Sequence, residues 1–344
     1  MSEAADAPIL SVEELGSKLD SAGVPFTLDA CRTCADPCDL GHDEWPSRFD
    51  VDLSSDMLGS VKPYGRQIVI STGKSDWARE VTEESNSLAE HLNNVHGKLV
   101  STTRTSKSGG APAGVFTASD STRLSILNGS HHQVGCAPKT HTVLVFPDYK
   151  LVKDVPPTNE GAIELWKAAL DPAVGVEGKA NDSGMKSWTL PYSAVILLCS
   201  HKRRDNRCHI AAPVLEDAFT TSLSSLGWDV HTQIDDPAEH GQPALEDLPE
   251  PRAEATREQL RSLRKPESDF AQRVLILRNS HMGGHKFAGN VIIYFPTGNG
   301  VWYGRVSTHE VQAVVESTII GGKVLPALLR GGTFKRDGHL LMDW

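Results

Sequence analysis

The sequence has no apolar run approaching the ~20 residues of a membrane-spanning helix, so no helical span is expected. It has no basic excess either. Its 34 Lys and Arg against 44 Asp and Glu leave a formal net charge of −10, which argues against broad nucleic-acid binding. The opening Met1-Ser2-Glu3-Ala4-Ala5-Asp6 lacks the basic n-region of a secretory signal and the Arg-rich pattern of a transit peptide. The expected address is therefore the cytoplasm, with the nucleus open to it, and neither nucleic acid nor membrane is an expected partner. Cysteine is sparse: six in 344 residues do not make a disulfide scaffold. In a reducing compartment, grouped cysteines are more often metal-binding or redox-active. Gly73-Lys74-Ser75 is not a P-loop, because no Gly-x4-Gly-Lys-Ser/Thr pattern surrounds it.

What is present is an ordinary globular composition, 39% hydrophobic and 23% charged, in a chain long enough for two domains. Two residue pairs carry most of the chemical information. Cys199 and Cys208 are separated by eight residues, His281 and His285 by three. Each pair follows a run that reads as a buried strand, Ala194-Val195-Ile196-Leu197-Leu198 before Cys199 and Val274-Leu275-Ile276-Leu277 before His281. Cys208 falls at the start of a helical pattern, where the electropositive helix N-terminus and Lys202, Arg203, Arg204 and Arg207 favour a thiolate. Gly283 and Gly284 let the backbone between the histidines curl round a ligand. A lone histidine is usually a surface or satisfied core residue, and a strand-end cysteine is often an apolar filler. Four such residues in matching slots favour a soft metal centre: one zinc, or a [2Fe-2S] cluster with two histidines in place of two cysteines.

The chain also repeats itself. Leu124-Ser125-Ile126-Leu127-Asn128-Gly129-Ser130-His131 resembles Leu275-Ile276-Leu277-Arg278-Asn279-Ser280-His281, and Val143-Leu144-Val145-Phe146-Pro147 echoes Ile292-Ile293-Tyr294-Phe295-Pro296. Gln67-Ile68-Val69-Ile70-Ser71 precedes a helical pattern over 75–92, as Val195 to Cys199 precedes one over 208–226. Helical stretches over 161–170 and 308–320 close the halves. Each half thus reads strand, helix, strand, strand, strand, helix. A strand-helix-strand start needs a parallel pair, and two later strands joined by a tight turn such as Thr297-Gly298-Asn299-Gly300 make an antiparallel hairpin. The expectation is α/β, with two thioredoxin-like mixed-sheet domains in tandem rather than one large doubly wound sheet.

Linkers place the boundaries. Residues 1–60 form an N-terminal extension with a cysteine cluster and a small amphipathic helix over 12–19. Residues 61–170 form the first domain, with a loop over 101–121, and 171–187 a linker rich in Gly, Ala and Asp. Residues 188–330 form the second, interrupted by a charged, Pro-rich insert over 235–269 in which 253–264 reads as a short solvated helix. Residues 331–344 are a tail. In the first domain the position matching Cys199 is near Ser71 or Thr72, and His131 and His132 stand opposite His281. It reads as a degenerate copy that packs against or shields the working one, with His131, His132 and Cys136 structural.

Four segments carry a resemblance to a known family. Cys199-Ser200-His201-Lys202-Arg203-Arg204-Asp205-Asn206-Arg207-Cys208, and His281-Met282-Gly283-Gly284-His285-Lys286-Phe287-Ala288-Gly289-Asn290 after it, are similar to motifs of the sucrase/ferredoxin-like family. Lys62-Pro63-Tyr64 and Thr72-Gly73-Lys74-Ser75-Asp76-Trp77 add to the likeness in the first half. The resemblance runs from about Cys31 to the C-terminus. It implies a C-terminal thioredoxin-like ferredoxin domain with a [2Fe-2S] cluster on Cys199, Cys208, His281 and His285. His209 departs from the pattern, where a small residue would be expected. No pair of carboxylates stands out as a glycosidase pair, so sugar hydrolysis is discounted.

Two further features complete the reading. Cys31, Cys34 and Cys38, with His42 beyond them, have the spacing of a Cys3His zinc knot and form a second candidate site, although a thiol switch or a structural role fits them as well. The terminal Met342-Asp343-Trp344 looks like the tail by which the cytosolic iron–sulfur assembly targeting complex recognises its clients, an indole beside two carboxylates. The leading function is electron transfer with an unidentified redox partner. Held against it are a zinc-binding structural or adaptor protein using the same four ligands and a thioredoxin-type thiol oxidoreductase. The last would want Cys-x-x-Cys where Asp205-Asn206-Arg207-Cys208 stands.

Overall fold

In the computed structural model, residues 11–100, 111–135, 137–174, 184–335 and 338–343 are described here. The apolar runs of the sequence become strands buried on both faces, which is why they read as continuous rather than alternating. In the first half β1 (Arg66–Ser71) pairs parallel with β3 (Leu124–Gly129) and antiparallel with β4 (His141–Phe146), which pairs antiparallel with β5 (Lys150–Val155). The second half repeats the pattern. There β7 (Ala194–Cys199) pairs parallel with β9 (Arg273–Asn279) and antiparallel with β10 (Val291–Tyr294), which pairs antiparallel with β11 (Gly300–Tyr303). The halves join edge to edge, β3 against β9, at Gly129 and Asn279. With β2 (Val115–Phe116), β6 (Ser187–Thr189), β8 (Asp229–His231) and β12 (Leu329–Thr333), the described residues form one mixed sheet of twelve strands. Two copies of the expected strand pattern are present, fused into a single sheet.

Among the described residues, six α-helices lie on the sheet. On the first half, α2 (Leu88–Leu99) and α3 (Asn159–Leu165) bury Leu88, Leu92, Val95, Ala162 and Leu165 against Ile68, Ile70, Val143 and Val145. On the second half, α1 (Val12–Ser21), α4 (Asn206–Ser225) and α6 (Thr308–Ala313) bury Leu19, Leu215, Phe219 and Val311 against Ile196, Leu198, Ile276 and Ile293. A π-helical turn extends each closing helix, over Trp166–Leu170 and Val314–Ile320. The opposite face of the sheet is shared by both halves. It holds Val69, Leu127, Leu144 and Phe146 of the first together with Val195, Leu197, Leu275 and Tyr294 of the second.

Three details differ from the sequence reading. The helix expected over 75–92 begins only at Leu88, because Asn86 has a positive φ of 59° and Ser87 caps the helix through Glu90 N at 3.1 Å. Trp77 lies in the preceding loop, buried, donating Nε1 to Thr72 Oγ1 at 2.9 Å. The helix in the insert, α5 (Arg252–Ser262), is less solvated than its composition suggests. Leu260, and Leu263 just past its end, reach the shared core, and Arg264 donates to Ser193 O at 3.0 Å. The loop of the first half carries β2, which crosses to the far edge of the second half and pairs parallel with β12. Residues 101–110 and Cys136 lie outside the described residues, as does most of the linker, 175–183.

A buried polar network fastens the halves where their shared face is dry. Tyr64 Oη lies 2.6 Å from Tyr294 Oη and accepts from Trp302 Nε1 at 3.0 Å, while Tyr294 Oη donates to Gln67 Oε1 at 2.8 Å. Phe146 of the first half stacks on Tyr294 at 4.1 Å between centroids. Tyr64 is one of the residues by which the first half resembles the family, and its place at this joint gives that likeness a physical reason. Tyr64→Phe leaves the indole N–H of Trp302 unpaired in the core and is expected to cost about 1–3 kcal/mol. Urea denaturation checks it: the midpoint falls at an unchanged slope, and an unmoved midpoint would show that the network does not stabilise the joint.

Candidate metal centre

The parallel register of β7 with β9 ends at Cys199 opposite Asn279, so the loops that follow both strands leave the sheet side by side. After β7 the loop turns at once into α4. Asp205 caps that helix, its carboxylate accepting Arg207 N at 2.9 Å, which places Cys208 in the first turn. After β9 the loop runs through Gly283 and Gly284, with φ of 89° and 67°, to His285. A Cβ on Gly284 would lie 2.3 Å from Arg330 Nη2, so the left-handed turn and the close approach both require glycine.

The four sequence-predicted residues lie at this end of the sheet; Cys199 and His281 belong to one group of close ligand atoms, and Cys208 and His285 are not in that group. Cys199 and Cys208 are buried, and their thiols are hydrogen-bonded to each other. The ring centroids of His281 and His285 are 5.5 Å apart. A fifth residue, His201, was missed as a member of the group. It is buried, with Nε2 3.3 Å from Cys199 Sγ and 2.9 Å from His281 Nδ1. Cys199, His201 and His281 place one ligand atom each within 4.8 Å of one another. Its only sequence signal was a polar residue two positions past a buried strand, which does not distinguish it from the charged residues around it.

Electrostatics favour negative charge on sulfur. Burial opposes ionisation of Cys199, but hydrogen bonds from Cys208, His201 and His281 outweigh it and hold the thiol well below its usual range. The hydrogen bond to Cys199, with burial, pushes Cys208 up, so one proton is held between the pair on Cys208. Burial lowers and the bond to Cys199 raises His201, and the net shift is upward. Below the loop lies Arg330, fully buried and held by Asn290 Oδ1 at 2.8 Å, Ser60 Oγ at 3.0 Å and Gly283 O at 3.2 Å. Burial lowers it to about 10, which still leaves it charged at neutral pH. Three buried atoms here have no hydrogen-bond partner: His201 Nδ1, His285 Nδ1 and Arg330 Nη2. Unpaired buried donors at a thiol–imidazole cluster fit a bound anionic or metal-containing group.

The first half covers this centre. Ser200 Oγ donates to Ser75 O at 3.3 Å, Arg203 N to Asp76 Oδ1 at 3.3 Å, and Arg204 pairs with Glu80. The segment Thr72 to Trp77 therefore braces the loop between the two cysteines. In the equivalent slot of the first half, Ser71 stands for Cys199 and accepts Thr142 N through Oγ at 2.9 Å. His131 stands for His281 and is fully buried.

The second candidate site is rearranged. Cys34, Cys38 and His42 come together, but their partner is His309 of α6, and all four ligand atoms lie within 4.8 Å of one another. Cys31 is not in that group. It packs against the second-half core, and burial, with the Glu310 carboxylate, pushes its thiol up to about 11. At the tail, Leu341 is buried and its carbonyl accepts Thr297 Oγ1 and Asn299 Nδ2, both at 2.6 Å. Met342 and Asp343 follow, partly buried; Trp344 lies outside the described residues. Among the described residues, no helix is long and apolar enough to cross a membrane.

The sequence model of the sucrase/ferredoxin-like family matches residues 57–331, four-fifths of the chain and all four predicted ligands. The chain belongs to the sucrase/ferredoxin-like family. It is 25% identical to altered inheritance of mitochondria protein 32 of Debaryomyces hansenii over 84% of this chain and 89% of that one. Shorter matches reach the protein of the same name in Clavispora lusitaniae, 30% identical over 40% of this chain and 35% of the relative. They also reach actin patches distal protein 1 of Saccharomyces cerevisiae, 33% identical over 37% and 30%. In these two relatives the match spans about a third of their length. No solved structure matches.

The buried His131 makes a prediction about acid stability. Burial takes its imidazole from 6.5 down to about 3. Between those values the unfolded chain binds a proton that the folded one refuses, so stability is complete above about pH 6.5 and falls as pH drops, by about 1.4 kcal/mol per unit. His131→Asn should flatten that acid limb relative to the wild type. Parallel stability-versus-pH curves from pH 7.5 to 4.5 would show that His131 is not buried neutral.

Proposed function

We propose that the protein is a [2Fe-2S] electron-transfer protein, with Cys199, Cys208, His281 and His285 as ligands and two thioredoxin-like halves in tandem, the second of ferredoxin type. The observation that carries this reading is the gathering, over a buried guanidinium, of a thiolate-favouring Cys199, its proton-holding partner Cys208 and two imidazoles. Such a cluster supplies one-electron chemistry, and histidine ligation sets its potential above that of an all-cysteine ferredoxin.

The protein's own residues have distinct parts in this reading. Arg330 places a fixed positive charge beneath the thiolates and holds the Gly283 carbonyl, which shapes the loop between the histidines. Asp205 caps α4 and lies 4.0 Å from His285 Nε2, which sets a carboxylate on the outer side of the imidazole. The cysteines are closed off by the core. The histidines are the exit: His285 is 41% exposed, and His281 borders a cleft of about 490 Å³ lined by Tyr64, Glu80, Arg123 and Trp302. A redox partner would approach that edge.

Zinc is the second reading, favoured by one observation, the proximity of His201 to Cys199 and His281. Anaerobically purified protein separates the two. The expected content is about two irons and two acid-labile sulfides per chain, with visible absorption that bleaches on reduction. Zinc alone at Cys199 would overturn the proposal. His281→Cys and His285→Cys should each keep the iron and lower the potential, because a thiolate adds negative charge; the alanine variants should lose iron. If neither cysteine variant shifts the potential or the paramagnetic resonance of the reduced protein, these histidines are not the ligands.

A further inference from the structure

The strongest unassigned feature is on the N-terminal segment, before the span matched by the family. Residues 34–42 form no helix or strand, yet they bring two thiols and an imidazole to a fourth ligand more than two hundred residues away in sequence. We infer that Cys34, Cys38, His42 and His309 bind one structural zinc ion, which clasps the N-terminal segment to α6.

The geometry is that of a four-ligand set around one centre. Cys34 Sγ lies 3.2 Å from His309 Nδ1 and Cys38 Sγ 3.3 Å from His42 Nδ1. The two imidazoles meet edge to face, their centroids 5.1 Å apart. Tetrahedral zinc, with bonds of about 2.3 Å to sulfur and about 2.0 Å to nitrogen, sets its ligand atoms roughly 3–4 Å apart, which small movements of these side chains reach. Two sulfurs and two nitrogens in a tetrahedral setting suit zinc.

The surroundings are arranged as those of metal ligands. Arg32 Nε donates to Cys34 Sγ at 3.3 Å, which sets a guanidinium beside that sulfur. Gly41 takes a φ of 71°, the turn that folds the chain back from Cys38 to His42. His309 is buried, and its outer Nε2 lies 3.1 Å from Glu44 Oε1. Alongside, Thr308 Oγ1 donates to Asp43 O at 2.7 Å and holds the loop at the start of α6.

The clasp has a consequence for the first centre. Downstream of His42 the same segment reaches the ligand loops. Asp50 O accepts Arg207 Nη1 at 2.9 Å, Asp52 N donates to Lys286 O at 2.9 Å, and Gly59 N donates to Arg330 O at 3.0 Å. Zinc would thus fix one end of a strap that crosses the helix bearing Cys208 and the loop bearing His285.

The test uses the full-length protein grown with added zinc and iron and analysed for both metals. One zinc per chain is expected. Cys34→Ser with Cys38→Ser, and separately His309→Ala, should remove at least nine-tenths of it while circular dichroism stays that of a folded protein. Cys31→Ser should retain it. Cobalt(II) in place of zinc should give the visible bands of a tetrahedral thiolate site, and these should vanish in the Cys34/Cys38 variant. Cys38→His, which keeps a ligand, should keep the metal and so guards against mere misfolding. Absence of zinc from the wild type would overturn the inference. So would zinc that survives loss of Cys34 and Cys38, or zinc that departs only when Cys199 and Cys208 are replaced.

Discussion

The pairing of β7 with β9 is the constraint on which the candidate metal centre rests. Two loops far apart in sequence are delivered to one place because Cys199 and Asn279 end adjacent parallel strands in register. The side-chain period of a strand is two, so a slip of one residue would turn Cys199 to the opposite face and exchange every buried side chain of β7 for its neighbour. Val195, Leu197 and Cys199 share one core face, Ala194, Ile196 and Leu198 the other, and both faces are dry. The register is therefore enforced along the whole strand by apolar packing rather than at the site itself.

The same constraint explains what the first half has become. Its β1–β3 pair ends in the same register, at Ser71 and Gly129, and His131 follows as His281 does. Ser71 stands where a thiol would be, and among the described residues of this half no group of metal-ligand atoms comes together. Ser71 instead accepts a backbone N–H from the neighbouring strand, and burial keeps His131 neutral. This half then serves as a wall. Its edge strand β3 completes the sheet beside β9, its Thr72–Trp77 segment braces the loop between the ligand cysteines, and its β2 closes the far edge beside β12.

Much of this was legible in the sequence, and the parts that were not share a cause. Strands and their order followed from apolar runs and from the internal repeat, since burial on both faces leaves an unmistakable composition. The candidate cysteines and histidines were singled out by residue type at strand ends and a glycine-opened loop, and of these Cys199 and His281 come together, with His201. The start of α2 did not follow from the sequence, because amphipathic spacing over 75–92 conceals that Asn86 and Ser87 break and restart the chain. His201 and His309 did not, because each is defined by what lies across space: a thiol from its own strand end for one, a loop beginning some 270 residues earlier for the other. The crossing of β2 was equally hidden, two residues being too few to carry a period.

Arg330 shows how the pieces depend on one another energetically. A guanidinium with no exposed surface is costly in a core unless it is hydrogen-bonded and faces compensating charge. Its hydrogen bonds come from three separated segments, Ser60, Gly283 and Asn290, and its plane lies over Phe287 and Trp302 at 5.7 and 5.8 Å. The compensating charge comes from Cys199 and Cys208, the groups whose ionisation raises its pKa. With the thiols protonated, that compensation is missing and Nη2 remains unpaired. The buried cation therefore favours negative charge on Cys199, the form in which a thiol can bind a metal ion.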